Sequence, residues 1–334
     1  MKIVHIVGTT HANGGLENVT LHLAQEQCAM GHEVYLVAHE SFAPKVEGTG
    51  VTLCPFDFSP SRNNPWMRYQ LNRLLKALSP DILHLQANKA AYLGSRLGKW
   101  AKSVKTVATI HNTKKTVAPF KGHDAVIAVS QRAGKALGDI PHQVIWNGVN
   151  IPSRSEAPLF TSQTGRFTVC SYGRFVPVKG YDLLLEAVAM VDEVDLWLIG
   201  DGELRPSLEQ KVKDLGLEER VWMPGFREDA MHLAAASDVF VMSSHKEGFP
   251  LTIIEMLHLR QPILSTIVAG VEEILPSECI VPETNAQSLA ERIAWAKANP
   301  DELKCALLPI YELASCELTV SRMAEKVDAV YKSL

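Results

Sequence analysis

The segment Gly173-Arg174-Phe175-Val176-Pro177-Val178-Lys179-Gly180 sets an arginine and a lysine on either side of a tight turn that leads into an expected helix. A guanidinium binds phosphate through two parallel N–H bonds, and an ammonium acts as a mobile point charge. Together they suit a diphosphate whose negative charge grows as it departs. The plainer reading is two surface cations near a helix start, a placement that opposes the helix dipole. A second segment, Glu247-Gly248-Phe249-Pro250-Leu251-Thr252-Ile253-Ile254-Glu255, carries two carboxylates. Glu247 falls in a loop. Glu255 falls on a mostly apolar helix, where a carboxylate is costly without a partner. Ribose hydroxyls would serve, since an ionised carboxylate is a strong acceptor; a structural ion pair is the alternative. A third segment runs from Gly8 to Gly15 between an expected strand and helix. Glycines such as Gly14 and Gly15 let backbone approach an anion at a helix N-terminus. It lacks the G-x-G-x-x-G fingerprint, so spacing barely separates an anion site from a plain turn.

These segments need elements to hold them. Apolar runs predict strands at Lys2–Val7, Glu33–Val37, Asp81–Leu85, Val104–His111, Asp124–Val129 and Val144–Trp146. Helical periodicity at Glu17–Met30, Lys89–Lys102 and Gln131–Leu137 separates them, with Ser130 placed to cap the last. Residues 151–165 are rich in Pro, Ser, Thr and Gly and read as a linker. Alternation then restarts, with strands at Phe167–Ser171, Asp195–Ile199, Val221–Met223, Val239–Met242 and Ile263–Ser265. Helices are expected at Tyr181–Ala189, Pro206–Leu215, Ala230–Ala236, Leu251–Leu259 and Ser288–Ala298. Alternation of this kind predicts two α/β, doubly wound parallel-sheet domains, 1–160 and 161–316, with the site in a cleft between them.

Composition agrees with this class. The chain has 334 residues, 46% hydrophobic and 21% charged, as in ordinary globular proteins. No apolar run is long enough to span a bilayer, and the first residues read as a strand rather than a leader. The six scattered cysteines lack any Cys-x-x-Cys pair, which suits a cytoplasmic setting and argues against a zinc site. No H-E-x-x-H or G-x-S-x-G motif occurs, and Asp201-Gly202-Glu203 reads as a loop rather than a metal pair, so no metal is expected. The net charge of −4 hides an asymmetry. Residues 1–150 hold 16 Lys/Arg against 9 Asp/Glu, while 151–334 hold 17 against 28. A basic first domain suggests an anionic partner: a phosphorylated glycan, a membrane surface or nucleic acid. Nucleic acid finds no aromatic-interleaved basic motif to support it. On a helical wheel, 66–78 puts Met67, Leu71, Leu74, Leu75 and Leu78 on one face. Arg62, Arg73 and Lys76 gather opposite them with Trp66 and Tyr69, flanked by Arg68. Cations mixed with aromatics suit an anionic membrane surface.

The order and spacing of Gly173–Gly180, Gly200-Asp201-Gly202, Pro224-Gly225-Phe226 and Glu247–Glu255 resemble the family 4 retaining glycosyltransferases of GT-B fold. Gly14-Gly15-Leu16-Glu17 is similar to that family's N-terminal glycine loop, and Asn147-Gly148-Val149-Asn150 to its interdomain crossover. His111 stands where the family has a cleft histidine. The resemblance implies a metal-independent transferase without cofactor, moving a sugar from UDP or GDP to a glycan or lipid-linked acceptor, as in lipopolysaccharide or other surface-glycan synthesis. It implies that Arg174 and Lys179 hold the diphosphate, that Glu255 binds ribose, and that Glu247 with Gly173, Gly248, Phe249, Pro250 and Leu251 lines the donor. Gly14 and Gly15 would admit the donor phosphate, and His111 would orient the sugar. The last helix, 317–334, would pack back on the first domain of a monomer working in the cytoplasm, at the inner face of the cell membrane. Two departures stand out: Arg260 near a family glycine, and Ile267 with Ala269-Gly270 for the usual aspartate and double glycine. A same-fold epimerase would need further acid/base carboxylates, a phosphorylase a cofactor lysine site, and a two-lobed sugar-binding protein would not need Arg174 and Lys179 aimed at a diphosphate.

Overall fold

The computed structural model describes residues 1–98, 100, 103–112, 116–151 and 165–334. These divide into two compact units, Met1–Asn150 with Glu317–Leu334, and Ile151–Cys316. The expected linker 151–165 lies almost wholly outside the described residues.

The first unit is built on strands β1 (Lys2–Val7), β2 (Glu33–Ala38), β3 (Thr52–Pro55), β4 (Ile82–Gln86), β5 (Lys105–Ile110), β6 (Ala125–Ala128) and β7 (Gln143–Val144). All pair in parallel, in the order β3-β2-β1-β4-β5-β6-β7. Strand order reverses between β1 and β4, the switch point where open α/β sheets bind ligands at the strands' carboxyl ends. Helices α1 (Gly15–Ala29), α2 (Ala43–Val46), α3 (Pro65–Leu78), α4 (Ala87–Gly94) and α5 (Gln131–Lys135) connect the strands. Asn64 caps α3 by accepting from Met67 N at 3.0 Å, and Ser130 caps α5 by accepting from Ala133 N at 3.1 Å. The helix expected over 89–102 is shorter. It closes at Gly94, and Asn72 Oδ1 then holds Gly98 N at 2.8 Å and Trp100 Nε1 at 2.7 Å. A side chain from another helix thus takes the Gly98 N–H, a backbone donor that continued helix would have used, and the Trp100 indole N–H beside it.

The second unit repeats the plan. Strands β8 (Phe167–Tyr172), β9 (Val194–Ile199), β10 (Val221–Trp222), β11 (Val239–Met242), β12 (Ile263–Thr266) and β13 (Ile280–Val281) lie in parallel order β10-β9-β8-β11-β12-β13. Helices α6 (Tyr181–Ala189), α7 (Arg205–Asp214), α8 (Ala230–Ala234), α9 (Leu251–His258), α10 (Val271–Ile274), α11 (Ala286–Ala298) and α12 (Pro300–Glu317) complete it. The switch point here lies between β8 and β11, the strands that Gly173 and Ser243 follow.

After α12 the chain returns to the first unit as α13 (Val320–Lys332), which packs on α1. Its buried stripe includes Met323, Ala324, Val327 and Tyr331. The entry to α13 presses on Gly148, where an added Cβ would lie 2.0 Å from Thr319 O, and Val149 N donates to Leu318 O at 3.1 Å. Only glycine fits a backbone approach this close.

Candidate functional site

Glycines shape the switch point of the second unit. Gly200, at φ 143°, lets the ends of β8 and β9 touch: a Cβ there would sit 1.9 Å from Gly173 O. Gly180, at φ 63°, lies against Ser243, whose carbonyl would be 2.3 Å from a Cβ. The turn 173–180 and the loop after β11 are stitched together. Ser243 Oγ donates to Lys179 O at 3.0 Å, and His245 N donates to Val178 O at 2.8 Å. Residues far apart in sequence therefore meet on one surface.

On that surface Lys179 Nζ lies 2.8 Å from Glu247 Oε1, which also accepts from Ser244 Oγ at 2.9 Å. The ammonium and carboxylate side chains are 23% and 18% exposed, so the pair is partly screened from water. Arg174 points outward, exposed, and its side chain pairs with no described residue. Glu255, half-buried on α9, accepts a hydrogen bond from the Tyr172 hydroxyl. Burial pushes the Glu255 carboxyl above its ordinary value, against the opposing pulls of Tyr172 and the Lys179 charge. Burial also pushes the Tyr172 hydroxyl well up, helped by the Glu255 charge, so tyrosine stays the donor. Phe249 is buried against Gly270, where a Cβ would come 2.4 Å from its ring. Gly248 and Pro250 flank Phe249 in the loop, and Leu251 opens α9. Arg174, Lys179, Glu247 and Gly173 thus gather with the 248–251 loop, and Glu255 follows one helix later. Tyr172 and Ser244 were not singled out from the sequence. Their one local signal is position, at the carboxyl ends of β8 and β11.

In the first unit, Gly14 and Gly15 open α1 as expected, but the carboxylate of Glu17 folds back on them. It is buried, and a Cβ on Gly14 would meet its Oε2 at 2.3 Å. His111 follows β5 and pairs through Nε2 with Gln86 Oε1 at 2.7 Å. Burial lowers its basicity to about 3, so the ring is neutral near neutral pH. His111 borders a cavity of about 20 Å³ with His84, Gln86, Thr109 and Asn147. Gln86 joins His5, Gln27, Tyr331 and His84 in a buried set of polar groups that sequence patterning did not single out.

On α3 the apolar face is as the helical wheel predicts: Met67, Leu71 and Leu75 are buried, with Leu74 and Leu78 packed beside them. Trp66 and Tyr69 stack at 5.5 Å and are 64% and 55% exposed. The cations differ from one another. Arg62 donates to Asn88 at 3.1 Å and lies over the Tyr92 ring, and Arg68 Nε is buried without a partner. Arg73 and Lys76 are exposed. A groove of about 470 Å³ beside Trp66 offers Asp57, Asn64 and Gln70.

Two family models cover most of the chain: Glycosyltransferase Family 4 over residues 13–152, and Glycosyl transferases group 1 over residues 157–306. The chain belongs to the family 4 glycosyltransferases. It is 46% identical over 102 residues to the lipopolysaccharide core biosynthesis glycosyltransferase LpsE of Rhizobium meliloti, 30% of each chain. It is 29% identical over 224 residues to LpsD of the same organism, covering 64% of this chain and 62% of that one. The matched segments thus span less than two thirds of these relatives. Anabaena HepE, solved with UDP and glucose, superposes over 100% of both chains with a TM-score of 0.82 at 21% identity. The apo lipopolysaccharide outer core galactosyltransferase WaaB gives 0.75 at 19% identity, also over 100% of both chains. At these identities the likeness speaks for the fold alone. That fold is GT-B, with two Rossmann-like parallel-sheet domains, as the sequence implied.

The structure also explains one departure from the family pattern. Arg260 adopts φ 55°, the left-handed conformation for which glycine is favoured. Its guanidinium lies over the Tyr311 ring at 5.2 Å and pairs with Glu312 at 3.0 Å. Ile267 is exposed at 38%, and nothing in the structure accounts for it.

Proposed function

We propose that this protein is a retaining, metal-independent glycosyltransferase that moves a sugar from UDP or GDP to a glycan or glycolipid in lipopolysaccharide or other cell-surface polysaccharide synthesis. The observation that carries the reading is the convergence of Arg174, Lys179, Glu247 and Glu255 at the switch point of the second unit. Arg174 is free to clamp a diphosphate, and Lys179 exchanges Glu247 for phosphate as the donor binds. As charge develops on the leaving diphosphate, fixed cations stabilise it more than they stabilise the bound donor, which lowers the barrier. Glu255 accepts from the ribose hydroxyls, and Glu247, with the backbone of Gly248, Phe249 and Pro250, contacts the sugar beside Leu251. From the first unit, Gly14 and Gly15 admit the phosphate and His111 orients the sugar. Two positive side chains supply the charge that a divalent ion would otherwise bring, so neither metal nor cofactor is required.

The acceptor reading draws on the names of LpsE and LpsD and on α3. An exposed aromatic face beside carboxylate and amide groups suits a sugar ring, and Arg73 and Lys76 suit an anionic leaflet. The protein then works as a monomer in the cytoplasm, peripheral to the membrane's inner face. The test is a turnover screen of UDP-, GDP- and ADP-sugars with and without EDTA, followed by NMR of the product anomer. Turnover that survives chelation and keeps the donor's anomeric configuration is expected. An inverted product, or activity lost to EDTA and restored by Mg²⁺ or Mn²⁺, refutes the corresponding part. Full turnover in Arg174→Ala would remove the site assignment.

A further inference from the structure

The groove of about 470 Å³ beside Trp66 runs between α3 and the segment that follows β3. One wall is Pro55, at the end of β3, and Asp57 beyond it. The other is Asn64, Trp66, Gln70 and Leu74, at the start of α3. Helical spacing of i, i+4 and i+8 puts Trp66, Gln70 and Leu74 on one side of that helix. The loop wall is pinned to α4. Lys89 Nζ donates to the Phe58 carbonyl and, at 3.0 Å, to that of Pro60, and the Tyr92 hydroxyl donates to Asn63 Oδ1.

A pyranose carries hydroxyls around its edge and C–H groups on its faces, and those hydrogens bear slight positive charge. The electron-rich face of an aromatic ring attracts them. Trp66 supplies such a face. It is 64% exposed, and Tyr69 stacks on it with centroids 5.5 Å and planes 23° apart, which holds the indole in orientation. Asp57 and Gln70, both exposed, supply a carboxylate acceptor and an amide that donates and accepts. Charge narrows the ligand further. The Ser59 N–H and hydroxyl donate to Asp57 at 2.7 and 2.9 Å and hold its carboxyl below the ordinary range, with smaller help from His39 and Lys89 outside the lining. Among the described residues that line the groove there is no cation. Lys89 is turned to backbone carbonyls, and Arg73 stands seven residues past Trp66, about 10 Å along the helix. A phosphate or carboxylate seated here would face the Asp57 charge with no lining cation to offset it.

We propose that this groove is a saccharide subsite that takes an uncharged pyranose unit of the acceptor, laid against Trp66 with its hydroxyls toward Asp57 and Gln70. That the saccharide belongs to the acceptor rests on the glycan-acceptor reading above; the binding itself does not. The unit held here is not the one assigned to His111. Pro55 ends β3 at the edge of the sheet, and His111 follows β5, four strands away in the order β3-β2-β1-β4-β5. At about 4.8 Å per strand the two lie roughly 19 Å apart, far beyond hydrogen-bond reach of one ring. Trp66 is therefore a specificity-determining residue that selects a remoter unit of the glycan.

The test is ¹H–¹⁵N NMR of the six tryptophan indoles in the full chain, with Trp66 assigned by its loss in Trp66→Phe. The probes are glucose, galactose and mannose, each beside its 6-phosphate, and vesicles of phosphatidylglycerol and phosphatidylethanolamine. At least one neutral sugar should shift the Trp66 indole, and its 6-phosphate should bind about fivefold more weakly. Saturation transfer to the same sugar should show about tenfold weaker binding in Trp66→Ala. Asp57→Asn should close the gap between sugar and 6-phosphate. With a donor and acceptor that turn over, Trp66→Ala should raise KM for the acceptor by about tenfold and leave donor hydrolysis without acceptor unchanged. A Trp66 indole that responds to no neutral sugar up to the limit of solubility would overturn the proposal, a reading that needs no variant to fold. So would 6-phosphates bound as well as the neutral sugars, or unchanged sugar binding in folded Trp66→Ala. A response to the vesicles and to no sugar would assign the ring to the membrane surface instead. Failure of every nucleotide sugar to turn over would strike the transferase reading and leave saccharide binding in the groove standing.

Discussion

Replacing Glu247 with glutamine should tighten binding of the bare nucleoside diphosphate while slowing sugar transfer. Lys179 is held at 2.8 Å by Glu247, so a diphosphate bound as proposed takes the ammonium from that carboxylate. Ion pairs of this kind contribute up to about 1 kcal/mol once side-chain ordering and residual solvent screening are counted. The neutral amide in Glu247→Gln can still accept from Lys179 and Ser244, but without charge, so most of that competition disappears. About 1 kcal/mol corresponds to roughly a fivefold lower Kd for UDP or GDP. The same change weakens the contact proposed for Glu247 on the sugar, so kcat with the full donor should fall by about tenfold or more. Calorimetric titration of wild type and variant with UDP and GDP at two salt concentrations measures the first effect, and donor turnover the second. A cycle with Lys179→Ala assigns the cause: in the Lys179→Ala background the glutamine should bring no gain in affinity. Lys179→Ala alone should lower kcat/KM by about 10² to 10³. If Glu247→Gln binds the diphosphates no tighter than wild type, the competition between Glu247 and phosphate for Lys179 is not part of the binding equilibrium.

Glu255 has a pKa raised in the fold, so its stabilising contribution is complete below the unfolded value near 4.5 and is lost as pH rises through the folded one. Glu255→Gln should therefore gain stability relative to wild type as pH climbs from acid to neutral, in urea melts across a pH series; a difference flat with pH would contradict the burial argument. At Arg260 the left-handed backbone should make Arg260→Gly more stable than Arg260→Ala by about 1 kcal/mol, although glycine is ordinarily the worse choice near a helix. Equal melting of the two variants would count against strain there. For membrane binding, Arg73→Glu with Lys76→Glu should release the protein from anionic vesicles at low salt. Arg62→Glu should do so less, because Arg62 is already engaged by Asn88 and Tyr92. Wild type that ignores anionic vesicles would refute the docking surface.

The strand–helix alternation was legible in the sequence because each buried parallel strand reads as a short apolar run and each covering helix as a periodic one. β11 and α6 fall at the expected residues, and the Arg174/Lys179 and Glu247/Glu255 segments follow strand ends because glycines mark the turns there. Two short strands, β3 and β13, escaped, being brief and partly exposed. α10 and α12 escaped too, the latter with Pro309 inside it. What the sequence determined about the site was therefore local: which residue types sit on which turn. The partners were decided by tertiary structure. Lys179 meets Glu247, and Tyr172 meets Glu255, only because β8 and β11 are neighbours across the switch point. Tyr331 meets Gln27 and His84 only because the last helix returns to the first unit. Side-chain hydrogen bonds act over about 3 Å in space with no regard for distance along the chain. A pattern read residue by residue can therefore name the groups that need partners, and the packing of sheet and helices decides which partner each one finds.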